Sequence, residues 1–333
     1  MILYVNEAGL ELKKNEGYCC ITKEGTVKHK IPLEKLEAVV LFSGTHITTP
    51  CLRSLLVRGI PVTFLSSTGE YFGRAESTSH FNMDRQLKHF KAAQDPVFSL
   101  NITKSFITGK VHNSIVLLRR YNRGKEKQEV VKNIKLMQNM LKKIPTADSP
   151  NQLNGIEGYA SRLYFEALSY LIKEDFYFCG RSKQPPRDPF NSLLSFGYTL
   201  LLYEIYTSVT NKSLHPYLGF LHQVHRSHPA LASDLMEEWR PIIVDSLVLN
   251  LINHRIITLD DFSPPASNGG IYLKKAKSPL FIEKFAQKLK IENRYLDGNN
   301  PCNFRQAINH QVDLLVKALE TGDYTIYKPV IIR

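Results

Sequence analysis

Glu157 stands between two glycines in the segment 154–160 (NGIEGYA), where a carboxylate could take part in chemistry. On the predicted helix 152–173 the apolar face runs through Leu153 and Ala160, which puts Glu157 at the edge of that face. Each neighbouring glycine lowers helix stability by about 1 kcal/mol relative to alanine, and it lets another backbone or a ligand approach closely. A half-buried carboxylate must be paired, protonated or metal-bound. An ordinary helix-surface Glu is the alternative.

His222 ends the apolar stretch 214–222 (LHPYLGFLH), which Pro and Gly interrupt. This pattern predicts a buried turn that delivers the imidazole from inside the core. Imidazole nitrogen is a common metal ligand, yet a single histidine in apolar surroundings is more often a hydrogen-bonded core residue. His225 and His228 follow in a polar segment, and we expect both to be solvated.

Asp234 and Glu237 are three positions apart in the segment 231–241 (LASDLMEEWRP). On a helix they project from one face, about 5–6 Å apart. Two carboxylates that close repel each other, and a bound divalent cation is one way to offset the repulsion. Two alternatives stay open: a salt bridge from Glu237 to Arg240, and a favourable place for Asp234 in the first helical turn.

Together these segments supply carboxylate oxygens and an imidazole nitrogen, a donor mix that suits Mg²⁺ or Mn²⁺. A divalent ion next to a basic groove is well suited to phosphodiester chemistry. The sequence contains no P-loop, G-x-G-x-x-G, G-x-S-x-G or H-E-x-x-H motif that would point to another reaction.

Positive charge is concentrated in one part of the chain. The whole sequence has 43 Lys and Arg against 31 Asp and Glu, a net charge of +12, and residues 101–143 alone carry eleven basic and two acidic residues. A solvated helix face is the ordinary explanation of a charge run. Concentration into two consecutive helices favours contact with a phosphate backbone instead. The run therefore predicts contact with a phosphate backbone. With double-stranded DNA as the partner that the family resemblance given below implies, the basic residues expected to contact it are Lys110, Arg119, Arg120, Arg123, Lys132 and Arg240.

The elements that must position these residues change character after about residue 76. Before it, the period-two pattern predicts short strands, and Thr49 followed by Pro50 predicts the start of one helix. The strands are expected at 1–6, 10–14, 17–22, 26–31, 38–42, 61–65 and 70–75. After it, a period of 3.6 predicts helices at 84–94, 96–123, 127–144, 152–173, 190–210, 229–254, 281–290 and 303–321.

The predicted fold class is therefore α+β. We expect a small N-terminal β-rich domain at 1–76, a polar linker at 77–83 and a larger all-α catalytic domain at 84–333. The composition, 43% hydrophobic and 22% charged, excludes a disordered or fibrous chain. No run of about 18 uncharged apolar residues occurs, so we expect no membrane span.

The five cysteines form no C-x-x-C pair, which argues against a disulfide framework and a zinc finger. The first residues lack the basic and apolar regions of a secretory signal. A reducing, cytoplasmic location is the expectation.

The order of four motifs resembles the CRISPR-associated endonuclease/integrase family of the spacer-acquisition machinery. The motifs are NGIEGYASRLYF at 154–165, DPFNSLLSFGY at 188–198, PYLGFLH at 216–222 and DLMEEWRP at 234–241. The resemblance implies that Glu157, His222 and Glu237 bind the metal and that Asp234 supports them. The segment 222–234 departs from the family pattern because it has two extra histidines and no glycine, which leaves its contacts with DNA open.

The resemblance further implies a homodimer formed through the β domains, with two such dimers bridged by a dimer of a small second adaptation protein. The expected activity is insertion of short foreign DNA fragments (spacers) into a CRISPR array, by attack of a 3′-hydroxyl on a repeat phosphodiester. Two alternatives remain: a non-catalytic DNA-binding scaffold, and an integrase of the same fold that serves a mobile element.

Overall fold

The computed structural model describes residues 1–67, 69–77, 82–173, 175–178, 180–222, 228–293 and 301–332. The chain forms two compact units, Met1–Phe81 with Leu273–Glu283, and Asn82–Tyr272 with Lys284–Arg333. We had expected residues 84–333 to form one domain, so the assignment of Leu273–Glu283 to that domain is wrong. A periodicity pattern is local and does not show which unit a later segment joins. Part of the predicted linker, residues 78–81, lies outside the described residues.

The described residues of the N-terminal part of the first unit form two four-stranded sheets and one α-helix. Its elements are β1 (Ile2–Val5), β2 (Leu10–Asn15), β3 (Tyr18–Lys23), β4 (Thr26–Pro32), β5 (Ala38–Phe42), β6 (His46–Ile47), α1 (Thr49–Val57), β7 (Val62–Leu65) and β8 (Tyr71–Ala75). One sheet has the order β1-β5-β7-β8, in which β8 is antiparallel to β7 and the other pairs are parallel. The other has the order β4-β3-β2-β6, in which only the β2–β6 pair is parallel.

Both sheets and α1 contribute to one apolar core. Leu12 and Cys19 come from one sheet, Val39 and Val62 from the other, and Leu55 from α1. The mixture of buried and exposed residues in β2 is typical of a half-buried strand, whereas β5 is buried throughout, as expected for a central parallel strand.

The second unit is predominantly helical. Its helices are α2 (Met83–Gln94), α3 (Pro96–Asn122), α4 (Gln128–Lys143), α5 (Pro150–Ser169), α6 (Pro189–Asn211), α7 (Ala230–Met236), α8 (Ser246–Asn253) and α10 (Phe304–Thr321), and α9 (Ser278–Leu289) spans the boundary between the units. The strands β9 (Glu292–Asn293) and β10 (Cys302–Asn303) form a short antiparallel ladder. The predicted α+β class is confirmed. Within the described residues, no helix combines the length and the apolar character that crossing a membrane requires.

The predicted helix 229–254 is divided into three parts. Helix α7 ends at Met236, a π-helical segment covers Arg240–Asp245, and α8 follows. Pro241 explains the break, because proline lacks the N–H that would continue the α-helical ladder. π-Helical turns recur at functional sites, and this one begins three residues after Glu237 and ends at the buried Asp245.

Helix α3 packs against α4, α5 and the π-helical segment. Asp95 caps its start, since the carboxylate accepts hydrogen bonds from the backbone N–H groups of Val97 (2.8 Å) and Phe98 (3.1 Å). Gly109 in the middle of α3 allows a close approach, because a Cβ there would lie 2.9 Å from Cγ of Glu238. The helix is thereby held directly against the segment that follows α7.

Candidate active site

A cavity of about 1080 Å³ in the second unit is lined by residues from remote parts of the chain. Lys110 comes from α3, Glu157 from α5, and Glu237 follows the last residue of α7. His222 and Arg240 also line the cavity. The three residues for which metal binding was predicted, Glu157, His222 and Glu237, therefore face one space.

Glu237 is the most buried of these three side chains. Its exposed fraction is 3%, against 26% for Glu157 and 36% for His222. Its Oε1 lies 4.0 Å from His222 Nε2, and its Oε2 lies 2.8 Å from Lys110 Nζ. The same Nζ donates a hydrogen bond to Glu157 Oε1. Lys110 thus joins the two glutamates.

Asp234 organises the turn that carries His222. This fully buried carboxylate accepts hydrogen bonds from the backbone N–H groups of Phe220 (2.6 Å), Leu221 (3.0 Å) and His222 (3.0 Å). Its Oδ1 also lies 2.6 Å from His222 Nδ1. An Nδ1–H that donates to Asp234 leaves the lone pair on Nε2, which faces Glu237. Asp234 therefore holds both the position and the tautomer of the imidazole.

Gly219 is required for this arrangement, because a Cβ there would lie 2.6 Å from Asp234 Oδ2. The proposal that Asp234 gains from the first turn of its helix is wrong. Helix α7 begins at Ala230, so Asp234 lies beyond the first turn, and backbone N–H groups of another segment stabilise its charge instead. Glycines 155 and 158 differ from expectation as well. Apart from the adjacent residues and the backbone of their own helix, no described atom lies within 4 Å of a Cβ built at either position.

Glu157 and Glu237 are both ionised at neutral pH. Burial favours the neutral form of Glu237, but Arg240 and Lys110 outweigh it and lower the pKa to about 2. Burial also opposes ionisation of Glu157, and Lys110 lowers the pKa of that carboxyl below its ordinary value. For His222, burial alone would lower the pKa, but the hydrogen bond and charge of Asp234, together with Glu237, raise it above its ordinary value.

Lys110 and Arg240 were predicted to contact DNA, and the structure places both beside the carboxylates. Arg240 Nη1 lies 2.7 Å from Glu237 Oε1, so the salt bridge considered from the sequence is present. The side chain of Lys110 is only 15% exposed. The two cations bind opposite oxygens of Glu237, Arg240 at Oε1 and Lys110 at Oε2.

The other four basic residues predicted to contact DNA do not line the cavity. Arg119, Arg120, Arg123 and Lys132 are exposed. Arg119 follows Lys110 by nine positions on α3, which is about 14 Å along the helix axis at 1.5 Å per residue. Arg119 and Arg120 also lie in the last helical turn, where the carbonyl end of the helix favours cations. Their contact with DNA stays a prediction.

Sequence reasoning missed a hydrogen-bonded group behind Arg240. The hydroxyls of Tyr164 and Tyr198 each donate to the buried Asp245 at 2.6 Å. The guanidinium of Arg240 lies 4.9 Å from the centre of the Tyr198 ring, and that of Arg181 lies 5.3 Å from it. The signal was present, because Asp245 is a lone charge in the apolar run IIVDSLVL.

His228 was expected to be solvated, and this is wrong. It is half-buried, and its Nε2 lies 3.0 Å from Ser233 Oγ. The His228 ring centre is 6.0 Å from that of His222. His225 lies outside the described residues.

The side chains of Glu157, His222 and Glu237 are of the chemical type that binds a divalent ion, although they are too far apart in this structure to coordinate one together. Among the described residues, no three His, Cys, Asp or Glu side chains are close enough to hold a metal. Glu237 Oε2 is nevertheless a buried anionic oxygen without a hydrogen bond of good geometry to any described group. Two ionised carboxylates and an imidazole with a free Nε2 are the hard donors that Mg²⁺ or Mn²⁺ takes.

Residues 3–287 match the family model of CRISPR associated protein Cas1. The chain is 32% identical over 321 residues to the CRISPR-associated endonuclease Cas1 of Mycobacterium tuberculosis, a match that covers 96% of this chain and 94% of the relative. The chain therefore belongs to the Cas1 family of CRISPR-associated proteins.

Solved structures agree with this family. A chain of a Cas6-RT-Cas1–Cas2 complex is 26% identical with a TM-score of 0.83, and the match covers 98% of this chain but 36% of that longer chain. A CAS1 protein from Thermotoga maritima, 24% identical, has the same fold, with a TM-score of 0.80 and 96% coverage of both chains.

Proposed function

We propose that this protein is a metal-dependent DNA endonuclease and integrase that inserts short DNA fragments into a CRISPR array. The observation that supports it most is the convergence of Glu157, His222 and Glu237 on one cation-lined cavity in a chain of the Cas1 family. The relative from M. tuberculosis carries the name of an endonuclease.

Glu157, Glu237 and His222 would hold Mg²⁺ or Mn²⁺. When bound, the ion supplies Lewis-acid stabilisation of the charge that develops on the phosphoryl and departing oxygens. Asp234 contributes by holding Nδ1 of His222, so that Nε2 faces Glu237. Because the pKa of Glu237 is about 2, this ligand is already deprotonated at neutral pH.

Arg240, Arg181 and Lys183 would attract the phosphodiester into the cavity that they line. Arg240 binds Glu237 through Nη1 and lines the cavity, so its other guanidinium N–H groups would donate to a phosphate oxygen. Arg181 is held in place by Asn191 Oδ1 (2.7 Å) and Ser195 Oγ (3.1 Å). The protein thereby presents fixed donors to the charge of the substrate.

In the proposed reaction, a 3′-hydroxyl of the incoming fragment attacks a phosphodiester of the repeat. One phosphorus–oxygen bond forms while another breaks, and the departing group is the 3′-oxygen of the repeat strand. Because a phosphodiester replaces a phosphodiester, no separate energy source is needed. Holding the 3′-hydroxyl of the fragment and the phosphodiester of the repeat together in the cavity would supply the proximity on which such a step depends.

We further propose that the chain acts as a homodimer formed through its first unit, and that a small second adaptation protein of the Cas2 type bridges two dimers. A structurally similar chain occurs in a complex whose name includes Cas2. The location is expected to be cytoplasmic, where CRISPR arrays and reduced cysteines are both found. Cys19, Cys20 and Cys51 form no disulfide bond, which agrees with a reducing location.

A strand-transfer assay tests the proposal. Glu157→Gln removes one negative charge and keeps the shape of the side chain, so strand transfer in Mg²⁺ or Mn²⁺ should fall to background while DNA binding is retained. Glu129→Gln is the matched control, because Glu129 is exposed on α4 and does not line the cavity. Full activity of the Glu157→Gln protein would show that the proposed site is wrong.

The ion pairs of Glu237 with Lys110 and Arg240 favour a second candidate, a non-catalytic DNA-binding scaffold. In that case the carboxylates only balance nearby cations. Calorimetric titration with Mn²⁺ separates the two. A metal-dependent enzyme should bind Mn²⁺ in the wild-type protein and lose that binding in Glu157→Gln, whereas a scaffold should show no Mn²⁺ binding in either protein.

A further inference from the structure

We propose that Lys110 competes with the divalent ion for Glu157 and Glu237, and that ion binding moves its ammonium into the cavity, where it contacts the phosphate of the DNA. This inference rests on the proposed function, because it concerns the same site. It assigns Lys110 two alternating partners, the carboxylate pair and the substrate.

The position of Lys110 between the glutamates is built into the fold. Its Nζ donates to Glu157 Oε1 and lies 2.8 Å from Glu237 Oε2. The flanking residues of α3 are fixed: Gly109 allows contact with Glu238, and Asn113 Nδ2 donates to the Glu238 carbonyl at 2.9 Å. The backbone around Lys110 is thereby held against the segment that carries Glu237.

An ammonium and a dication cannot use these two oxygens together. Mg²⁺ binds carboxylate oxygens at about 2.0–2.1 Å, and an ion shared by Glu157 and Glu237 needs the space that Lys110 Nζ occupies. The positive charges of the ammonium and the divalent ion repel each other strongly when they are only a few ångströms apart. Entry of the ion therefore requires Nζ to leave both carboxylates.

Lys110 can leave, whereas Arg240 can stay. Lysine carries a compact charge on a flexible stem, and arginine a planar group that is held through several contacts. Arg240 binds Glu237 Oε1, the oxygen away from Lys110, and its guanidinium also lies on the Tyr198 ring. Glu237 thus has one oxygen with a fixed cation and one with an exchangeable cation.

The cavity beside the glutamates is the space into which Lys110 can move. Arg181, Lys183 and Arg240 also line it, so a displaced ammonium adds to a cluster of positive charge. That cluster is repulsive until a phosphate enters and neutralises it. Metal binding should therefore strengthen phosphate binding, and phosphate should strengthen metal binding to the same degree.

The first test measures Mn²⁺ affinity without DNA, by the EPR signal of free Mn²⁺, in the full-length wild-type protein and two variants. Lys110→Met removes the competing charge and should tighten the dissociation constant at least ten-fold. Lys104→Met removes the same charge from the same helix outside the cavity, where Lys104 Nζ donates to the Pro145 carbonyl, and should change it less than two-fold. Equal or weaker binding in Lys110→Met overturns the competition.

The second test needs no substitution at Lys110. Acetylation of lysines in the wild-type protein, followed by mass spectrometry, reports how accessible each amine is. Saturating Mn²⁺ should increase the labelling of Lys110 several-fold and leave Lys104 unchanged. Unchanged or lower labelling of Lys110 under Mn²⁺ overturns its displacement.

The outcomes also separate this inference from the proposed function. If neither the wild type nor Lys110→Met binds Mn²⁺, the metal-dependent function fails and the inference fails with it. If both bind Mn²⁺ equally, the metal site stands and only the competition by Lys110 is wrong.

Discussion

Glu237 and Glu238 are neighbours in the chain, both are buried, and they belong to two contrasting regions. Glu237 faces the cavity, where Lys110 and Arg240 hold its pKa near 2. Glu238 faces the C-terminal segment, and its carboxylate accepts hydrogen bonds from Gln311 Nε2 (3.0 Å), the Tyr327 hydroxyl (3.2 Å) and the Val330 N–H (3.1 Å). Burial raises the pKa of Glu238 well above its ordinary value.

The difference shows that the segment after α7 has two roles. Through Glu237 it contributes to the candidate active site, and through Glu238 it stabilises the packing of the C-terminal segment. A buried carboxyl that meets cations stays charged and can bind a metal. A buried carboxyl that meets neutral donors is favoured in its neutral form and acts as a structural link. Helix α3 repeats the division, since Lys110 faces the cavity while Asn113 donates to the carbonyls of Glu238 (2.9 Å) and Val330 (2.8 Å).

The largest expected effect comes from replacing the carboxyl group of Glu237 by an amide, with the same replacement at Glu238 as the comparison. Glu237→Gln should lower strand transfer by at least about 10²–10³-fold, the size typical for losing one group that stabilises transition-state charge. Glu238→Gln keeps a hydrogen-bonding group of the same shape and should retain activity within a few-fold. A quantitative strand-transfer assay of both proteins measures this, and equal losses in the two variants would remove the contrast.

Asn113→Ala tests the structural side. Asn113 is fully buried, donates two hydrogen bonds through Nδ2 and accepts one from the Ile332 N–H at 3.1 Å. Its removal should lower the free energy of unfolding by about 2–4 kcal/mol, because several buried groups lose their partners.

Urea denaturation measures the effect of Asn113→Ala. Asn101→Ala is the control on the same helix, since the Asn101 side chain donates to the Val97 carbonyl of its own helix rather than to a remote segment. The control should change stability by less than about 0.5 kcal/mol. A similar loss in both variants would show that Asn113 has no special role.

The pH dependence of stability sharpens the comparison, because Glu237 and Asp245 should contribute with opposite signs. The folded pKa of Glu237 is about 2, below its ordinary value of 4.5, so its contribution is present above pH 4.5 and is lost as the pH falls towards 2. Burial raises the pKa of Asp245 from 3.8 to about 6. The folded state then binds more protons than the unfolded state, so this contribution is lost as the pH rises from 3.8 to 6.

Denaturation of the wild type, Glu237→Gln and Asp245→Asn between pH 2 and 7 measures both contributions. Each pKa difference corresponds to about 3 kcal/mol. The wild-type minus Glu237→Gln difference should rise with pH at the acid end, and the wild-type minus Asp245→Asn difference should fall between pH 4 and 6. Two curves with the same slope would contradict the assigned charge states.

The smallest effect is expected at the exposed basic residues, which lie away from both regions. Replacing Arg119, Arg120 and Arg123 by alanine should weaken DNA binding at low salt. The slope of log affinity against log salt should decrease by about 0.9 for each phosphate that these side chains neutralise in the wild-type complex. Fluorescence anisotropy at several salt concentrations measures the slope. An unchanged slope would exclude these residues from the DNA path.

Local pattern was sufficient to predict most helices and strands. Strand β5 was placed at its observed bounds, 38–42, and α6 at 190–210 against Pro189–Asn211 in the structure. Hydrophobic periodicity is a property of neighbouring residues, so it survives without knowledge of the fold. The pattern did not reveal that Leu273–Glu283 joins the first unit, since that depends on remote partners.

For the site, the motifs singled out Glu157, His222, Asp234 and Glu237, and these residues do surround one cavity or support it. Their metal-binding role stays a prediction. The basic residues were harder to place, because a charge run looks the same whether it faces solvent or a carboxylate. Lys110 and Glu157 are 47 positions apart, and the local sequence around neither residue indicates that the two are in contact.

The sequence by itself therefore determined which segments become helices and strands, and which motifs carry carboxylates and an imidazole. The tertiary structure alone decided that Glu237 meets two cations while Glu238 meets neutral donors, and that Asp245 supports Tyr198 beneath Arg240. The reason is physical. The charge state of a buried carboxyl depends on burial and on groups within a few ångströms, and folding brings those groups together from distant parts of the chain.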